Sequence, residues 1–83
     1  MSFNFVDIQV SKTAVKKIKK YQLVKQFKKN VDYLEKWYFD LVDFKLRQPK
    51  TDKIRYFRIN KQYRAWCKII DNVLYIFDID DHS

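Results

Sequence analysis

Two arginines flank a short turn in the stretch "RINKQYRAW", residues 58–66. Arg58 precedes the turn and Arg64 follows it, and the residues on both sides are typical of β-strands. An arginine guanidinium presents a planar fork of N–H donors that matches the oxygens of a phosphate group. The pair therefore predicts either a phosphate-binding clamp or two ordinary solvated strand faces, and both interpretations are open at this point.

The chain is strongly basic, since its 83 residues carry a formal net charge of +8. Such a field favours association with nucleic acid, an acidic partner or an anionic surface. Lysines crowd the first third of the chain, and a second basic group covers residues 45–64. The last thirteen residues instead hold four aspartates and no lysine or arginine. Positive charge is thus concentrated before the C-terminal segment.

Composition disfavours several classes of protein. With 34% charged residues the sequence contains no membrane span, and Asn4 and Asp7 interrupt any secretory signal at the start, so we expect a cytoplasmic protein. The lone Cys67 has no second thiol for a disulfide and is expected in the core. One histidine and scattered aspartates give no metal-ligand spacing, so neither a metal nor another cofactor is expected.

The hydrophobic pattern predicts a single domain of the α+β class over residues 1–83. Apolar residues at intervals of three and four predict helices, and alternating runs rich in β-formers predict strands. The predicted elements are a strand over residues 3–10, helices over 12–20 and 22–39, a connection over 44–49, and strands over 54–59, 63–70 and 73–80. Ser11 should cap the first helix, and Pro49 excludes a central strand. The expected architecture is two N-terminal helices packed on one face of a small, mainly antiparallel, four-stranded sheet.

Alternation predicts which side chains lie on which face of the two longest strands. One face should be covered by the helices, and the other should be open. The expected core residues are Tyr63, Ala65, Cys67 and Ile69, followed by Val73, Tyr75, Phe77 and Ile79. The expected open-face residues are Arg64, Trp66, Lys68 and Ile70, followed by Leu74, Ile76, Asp78 and Asp80. The open face should therefore hold charges of both signs.

This order of elements, together with two short motifs, resembles the RelE/ParE superfamily of type II toxins. The matching stretches are "RINKQYR" at residues 58–64 and "DIDDH" at residues 78–82, and this C-terminal half is most similar to the HigB-like branch. The resemblance covers residues 44–82 by motif and residues 1–43 by topology. It implies a toxin that inhibits translation as a ribosome-dependent, metal-independent messenger RNA endoribonuclease, an mRNA interferase. The partners it implies are the ribosome, messenger RNA and a cognate antitoxin protein.

The same resemblance, taken position by position, assigns catalytic roles to Arg64, Asp80 and His82. Arg58, on the adjacent strand, could assist Arg64 and is counted with the catalytic residues. Metal-independent RNA cleavage needs a group that accepts the 2′-hydroxyl proton, a cation for the phosphoryl oxygens and an acid for the departing 5′ oxygen. Asp80 and His82 could carry the protons, and Arg64 could hold the phosphate. Tyr56 and Trp66 offer rings on which bases stack. The full expected RNA-binding set is Lys45, Arg47, Lys50, Lys53, Arg55, Tyr56, Lys61 and Trp66.

Three alternatives remain open at the level of sequence. A ParE-like member of the superfamily would inhibit gyrase without cutting RNA. A catalytically degenerate member would only bind antitoxin or RNA, and Asp81 stands where the HigB-like pattern has a tyrosine. Arg64 itself could be an ordinary strand-face partner of Asp78.

Overall fold

The computed structural model describes residues 5–46 and 53–81 of the chain. These residues form two α-helices and a mixed sheet, which confirms the α+β class. The sheet has five strands, so the prediction of four is wrong. In chain order the elements are β1 (Asp7–Val10), α1 (Lys12–Lys20), α2 (Val24–Glu35), a 3₁₀ helix (Phe39–Val42), β2 (Lys45–Leu46), β3 (Arg55–Arg58), β4 (Tyr63–Ile70) and β5 (Val73–Asp81).

The additional strand is β2, at one edge of a sheet ordered β1-β5-β4-β3-β2. Lys45 lies opposite Tyr56 and Leu46 lies opposite Arg55 in an antiparallel pairing. The sequence predicts only a connection here, because Pro49 excludes a central strand. A two-residue strand at the edge of the sheet is not subject to that restriction. At the other edge β1 pairs in parallel with β5, while the remaining neighbours are antiparallel.

Both helices pack on one side of the sheet, which we call the helix-covered face; the opposite side is the open face. The rings of Phe27 in α2 and Phe57 in β3 stack with centroids 6.2 Å apart, and Tyr21 stacks on Tyr63 at 4.7 Å. Cys67 is fully buried among these residues, as expected, and burial raises the pKa of its thiol far above its ordinary value. The other fully or nearly fully buried members of the core include Ala14, Ile18, Leu34, Ala65, Leu74, Ile76 and Ile79.

The start of α1 is fixed by Ser11, as predicted. Its hydroxyl accepts a hydrogen bond from the backbone N–H of Ala14 at 3.1 Å and donates one to the carbonyl of Phe77 at 2.9 Å. The backbone N–H of Ser11 also donates to the carbonyl of Ile76. One residue therefore caps the helix and ties its first turn to β5, just beyond the point where β1 stops pairing with that strand.

Both helices end in the same hydrogen-bonded motif, without glycine. After α1, Gln22 has a φ of 58°, and its N–H donates to the carbonyl of Lys19 while the N–H of Leu23 donates to the carbonyl of Ile18. After α2, Trp37 adopts a φ of 61° in the equivalent position. These bonds are those of the Schellman motif, which satisfies the last carbonyls of a helix. The chain contains no glycine, so ordinary residues adopt the left-handed conformation there.

The second helix is shorter than the predicted span of residues 22–39, because it ends at Glu35. The aromatic residues that follow continue the apolar pattern of the helix but pack differently. The ring of Phe39 stacks on Phe44 at 5.3 Å and meets the edge of Phe5 at 6.1 Å. Tertiary packing of these rings therefore replaces the last helical turn with a reversal and a 3₁₀ helix.

A β-bulge between β4 and β5 changes which residues of β5 reach the core. Trp66 lies opposite Asp78 and Cys67 lies opposite Ile76, so Phe77 is an extra residue in β5. Each single-residue shift moves the following side chains to the other face of a sheet. The predicted faces are consequently correct for β4 and for the end of β5. They are wrong before the bulge: Leu74 and Ile76 are core residues, whereas Tyr75 and Phe77 are exposed.

Candidate active site

Arg64 lies on the open face near the start of the central strand β4, supported by two aromatic rings. Its guanidinium carbon is 4.9 Å from the centroid of the Tyr56 ring and 5.2 Å from that of Trp66. The two rings meet edge to face at 5.3 Å, and they lie opposite each other in β3 and β4. Cation–π contacts of this kind hold a guanidinium in place over the ring faces. The arrangement fixes Arg64 as a cation suited to binding an anion on this face.

Asp80 is the carboxylate in register with Arg64, directly opposite it on β5. Side chains at directly opposite positions share a face and lie about 5 Å apart at Cβ. Asp81, by contrast, lies opposite Tyr63, which packs on the helix-covered face. The strand alternation therefore directs the charge of Asp81 away from the face that carries Arg64. Asp81 accepts a hydrogen bond from Nε2 of Gln62 at 3.3 Å.

Asp78 has a structural role at the edge of β5. Its Oδ1 accepts hydrogen bonds from Nζ of Lys17 at 2.8 Å and from the backbone N–H of Ile79 at 2.9 Å. Lys17 also donates to the carbonyl of Ile79 at 3.3 Å. The hydrogen bond to Asp78 raises the pKa of Lys17 above its ordinary value. Asp78 thus neutralises a lysine of α1, which favours a separate role for Arg64 over the strand-face pair with Asp78.

Arg58 stands directly opposite Arg64 on the other neighbouring strand, β3. Its side chain is half exposed, and its Nε lies 3.7 Å from Oδ2 of Asp43. That distance describes a loose surface ion pair, which contributes little to stability. Two guanidinium groups are therefore presented on the same face, each with one carboxylate nearby on an adjacent segment.

The turn between these arginines is built by the remaining residues of the motif. Oδ1 of Asn60 accepts hydrogen bonds from the backbone N–H groups of Gln62 at 2.8 Å and Tyr63 at 2.9 Å, which is an Asx turn. Ile59 is buried in the core, and the Tyr63 ring stacks on Tyr21 of α1. The interior of "RINKQYR" therefore shapes and anchors the hairpin, and its two ends deliver arginines to the open face.

No protein-family model and no curated protein matches the chain. Solved structures do match: the crystal structure of the E. coli DinJ-YafQ toxin-antitoxin complex has a TM-score of 0.71 at 17% sequence identity, covering 92% of this chain and 91% of that one. A crystal structure of YafQ from E. coli strain BL21(DE3) has a TM-score of 0.60 at 16% identity, covering 90% of this chain and 91% of that one. The chain has the fold of YafQ. This confirms the predicted RelE-like fold and gives no support to the HigB-like branch.

Within the YafQ fold, the register brings together most of the residues predicted to carry chemistry. Arg58, Arg64 and Asp80 share the open face, and Tyr56 and Trp66 lie on the same face as the rings that support Arg64. The third predicted catalytic residue, His82, lies outside the described residues.

The predicted basic RNA-binding residues are more dispersed. Lys45 is exposed and lies opposite Tyr56, so it extends the open face, and Lys61 is exposed in the turn after β3. Lys53 is exposed and precedes β3. Arg55 lies opposite the buried Cys67, on the helix-covered face, so the structure does not bring it to the group around Arg64. Arg47 and Lys50 lie outside the described residues.

The sequence interpretation missed two aromatic side chains on the open face. Tyr75 and Phe77 are 41% and 37% exposed, and Nζ of Lys68 lies 5.5 Å from the centroid of the Phe77 ring. Only the bulge places them there, and no local sequence signal marks it. They extend the face beyond Trp66 with surfaces on which further bases could stack.

The described residues, 5–46 and 53–81, also bear on metal binding and membrane insertion. No group of three or more histidine, cysteine, aspartate or glutamate side chains in those ranges could hold a metal ion. Neither of the helices in those ranges has the length and apolar character needed to cross a bilayer.

Proposed function

We propose that this protein is a type II toxin of the RelE/ParE superfamily that cleaves messenger RNA on the ribosome. The observation that carries the proposal is the group around Arg64, whose guanidinium lies over the rings of Tyr56 and Trp66 with Asp80 and Arg58 directly opposite on the flanking strands. The fold supports it, because YafQ has been solved in a toxin-antitoxin complex.

The proposed chemistry follows from the charges on the open face. The 2′-hydroxyl of the substrate attacks the adjacent phosphorus, and Asp80 is the carboxylate placed to accept its proton. Arg64, with Arg58 beside it, donates hydrogen bonds to the phosphoryl oxygens as negative charge accumulates on them. We assign protonation of the departing 5′ oxygen to His82, because imidazole is the side-chain group best suited to acid–base work near neutral pH.

Aromatic side chains supply the means of holding single-stranded RNA on this face. Tyr56 and Trp66 flank the proposed phosphate position, and Tyr75 lies further along the sheet, opposite Lys68. Bases stack on such rings with little regard to sequence, at about 1 to 3 kcal/mol per base. The phosphate would therefore be positioned by cations and the flanking bases by rings.

The proposal also concerns the binding partner of the protein, its branch of the superfamily and its location in the cell. We infer a cognate antitoxin as the partner, supported by the solved DinJ-YafQ toxin-antitoxin complex. The motif at residues 58–64 supports the HigB-like branch, although the matched solved structures are of YafQ. Action on translating ribosomes would place the protein in the cytoplasm.

Controlled expression in a bacterial host tests the proposal. Wild type should stop growth and produce new messenger RNA ends within translated regions. Arg64→Ala, Asp80→Asn and His82→Ala should suppress both effects, whereas Lys12→Ala, an exposed change on α1, should not. Circular dichroism of each purified variant separates loss of activity from loss of fold.

The other outcomes identify the rival functions. Growth arrest with intact messenger RNA and a DNA-damage response would indicate a ParE-like gyrase inhibitor. Binding of antitoxin or RNA without growth arrest would indicate a degenerate member of the superfamily. If the Arg64 and His82 variants remain as toxic as wild type, the assigned catalytic group is wrong.

A further inference from the structure

A cationic pocket lies between α2, the end of the 3₁₀ helix with the residue after it, and the turn that joins β3 to β4. Its volume is about 390 Å³, within the range that small-molecule sites occupy. Residues that could bind a ligand converge on it from separate elements of the chain: Lys29, Asn30, Tyr33, Asp43, Arg58 and Lys61. None of these residues except Arg58 and Lys61 was expected to have a role.

The pocket has an excess of positive charge. Lys29, Arg58 and Lys61 line it, and Asp43 is the carboxylate among its lining residues. The contact between Arg58 and Asp43 is loose, at 3.7 Å. Three cations against one carboxylate favour an anionic ligand, and a phosphate group suits both the lysines and the arginine.

Asn30 gives the pocket a polar group of a different kind. Its side chain is 97% buried, at 3% relative exposure, and Oδ1 has no hydrogen-bond partner among the described residues. Leaving a buried acceptor unsatisfied costs about 1 to 3 kcal/mol. An amide carries both a donor and an acceptor, so it can recognise the edge of a nucleobase. The half-buried Tyr33, one helical turn further along α2, adds an aromatic ring.

Arg58 connects this pocket to the group around Arg64. It lines the pocket and also lies directly opposite Arg64 in the sheet. An RNA strand whose phosphate contacts Arg64 can therefore pass Arg58 and reach the pocket without crossing the hydrophobic core.

We propose that the pocket around Asn30 binds one nucleotide of the RNA strand held at Arg64. Lys29 and Lys61 contact its phosphate, Tyr33 packs on its base, and the Asn30 amide bonds to the edge of that base. This inference deepens the proposed function and rests on it for the identity of the ligand as RNA. An acidic peptide would also satisfy the cations, but a buried amide beside an aromatic ring suits a planar base better than an extended chain.

The test is a binding measurement on the isolated protein, without ribosomes or cleavage. A short 2′-deoxy-substituted oligoribonucleotide, which cannot be cut at its modified position, is titrated into isotopically labelled protein. The side-chain amide resonances of Asn30 and the ring resonances of Tyr33 should shift together with the indole resonance of Trp66. Affinity should fall about tenfold for Lys61→Ala and for Lys29→Ala. The slope of log affinity against log salt concentration should become shallower by somewhat less than one for each lysine removed. Lys16→Ala on α1 is the matched control and should change neither.

The result that overturns the inference is a shift at Trp66 with none at Asn30 or Tyr33, or equal effects of the Lys61 and Lys16 variants. Shifts at Asn30 produced by an oligoglutamate peptide, and not by RNA, would make the pocket a peptide site and also overturn it. The proposed function is tested independently of the pocket. RNA binding at Asn30 without cleavage on the ribosome would support the pocket and contradict the nuclease function. Cleavage on the ribosome without any shift of the Asn30 resonances would support the nuclease function and contradict the pocket.

Discussion

Arg58 and Arg64 lie directly opposite each other on β3 and β4, with two positive charges on the same face of the sheet. Like charges at such positions destabilise a sheet. Arg58 is only loosely compensated by Asp43, at 3.7 Å. An anion bound between the two guanidinium groups would remove the repulsion.

This repulsion should be measurable as a coupling free energy. A double-mutant cycle of Arg58→Gln and Arg64→Gln isolates the interaction between the two arginines. We expect that interaction to destabilise the folded protein by about 0.2 to 1 kcal/mol. Urea unfolding at low ionic strength provides the measurement. The coupling should diminish as salt shortens the Debye length, and inorganic phosphate should reduce it more than chloride at equal ionic strength. A favourable coupling would contradict the account, and the distant pair of Lys12 and Arg64 should show none.

The left-handed helix end at Gln22 predicts a stabilising substitution. Gln22→Gly should raise the free energy of unfolding by about 0.5 to 1 kcal/mol, because glycine adopts a positive φ without the steric cost that a Cβ imposes. Thermal or urea unfolding checks this value. Lys28→Gly, within α2, should instead lower the free energy of unfolding by about 1 kcal/mol. If both glycines destabilise the protein equally, the helix end is not formed as described.

The ion pair between Lys17 and Asp78 predicts a pH dependence of stability. Because the hydrogen bond to Asp78 raises the pKa of Lys17 above 10.5, its contribution is fully present below that value and is lost as pH rises through the higher folded value. Both side chains are more than a third exposed, so we expect Lys17→Met to lower the free energy of unfolding by no more than about 1 kcal/mol at neutral pH. The difference from wild type should shrink above pH 10.5. The exposed Lys16→Met serves as control, and a difference that grows with pH would contradict the assignment.

Local patterns predict the elements whose signals are strong. The hairpin of β4 and β5 follows from alternation and short turns, and the start of α1 follows from Ser11 as a cap. The end of α2 could not be predicted, because the rings after Glu35 continue the helical pattern and only their packing on Phe5 and Phe44 shows the reversal. The two-residue strand β2 has too little sequence to carry a signal.

The sequence predicts the face of a site residue correctly where simple strand alternation holds. Arg64 and Asp80 both lie beyond the bulge, so simple alternation places them correctly. Before the bulge the same rule fails: it assigns Tyr75 and Phe77 to the core, whereas both are exposed. The pocket around Asn30 joins α2 to a turn about thirty residues later in the chain, and such a juxtaposition has no signature in local sequence.

Cleavage in a reconstituted system tests the central claim most directly. Purified wild-type protein is mixed with ribosomes that carry a defined messenger RNA, and new RNA ends are mapped by primer extension; the same RNA without ribosomes is the control. We predict that wild type cuts within the translated region, and only when ribosomes are present. Arg64→Ala should lower the cleavage rate by about 100- to 1000-fold. Arg64→Lys should restore the rate only in part, because lysine keeps the charge but lacks the planar fork of donors. Intact messenger RNA with folded wild-type protein, or an Arg64→Ala variant that cuts as fast as wild type, would contradict the account.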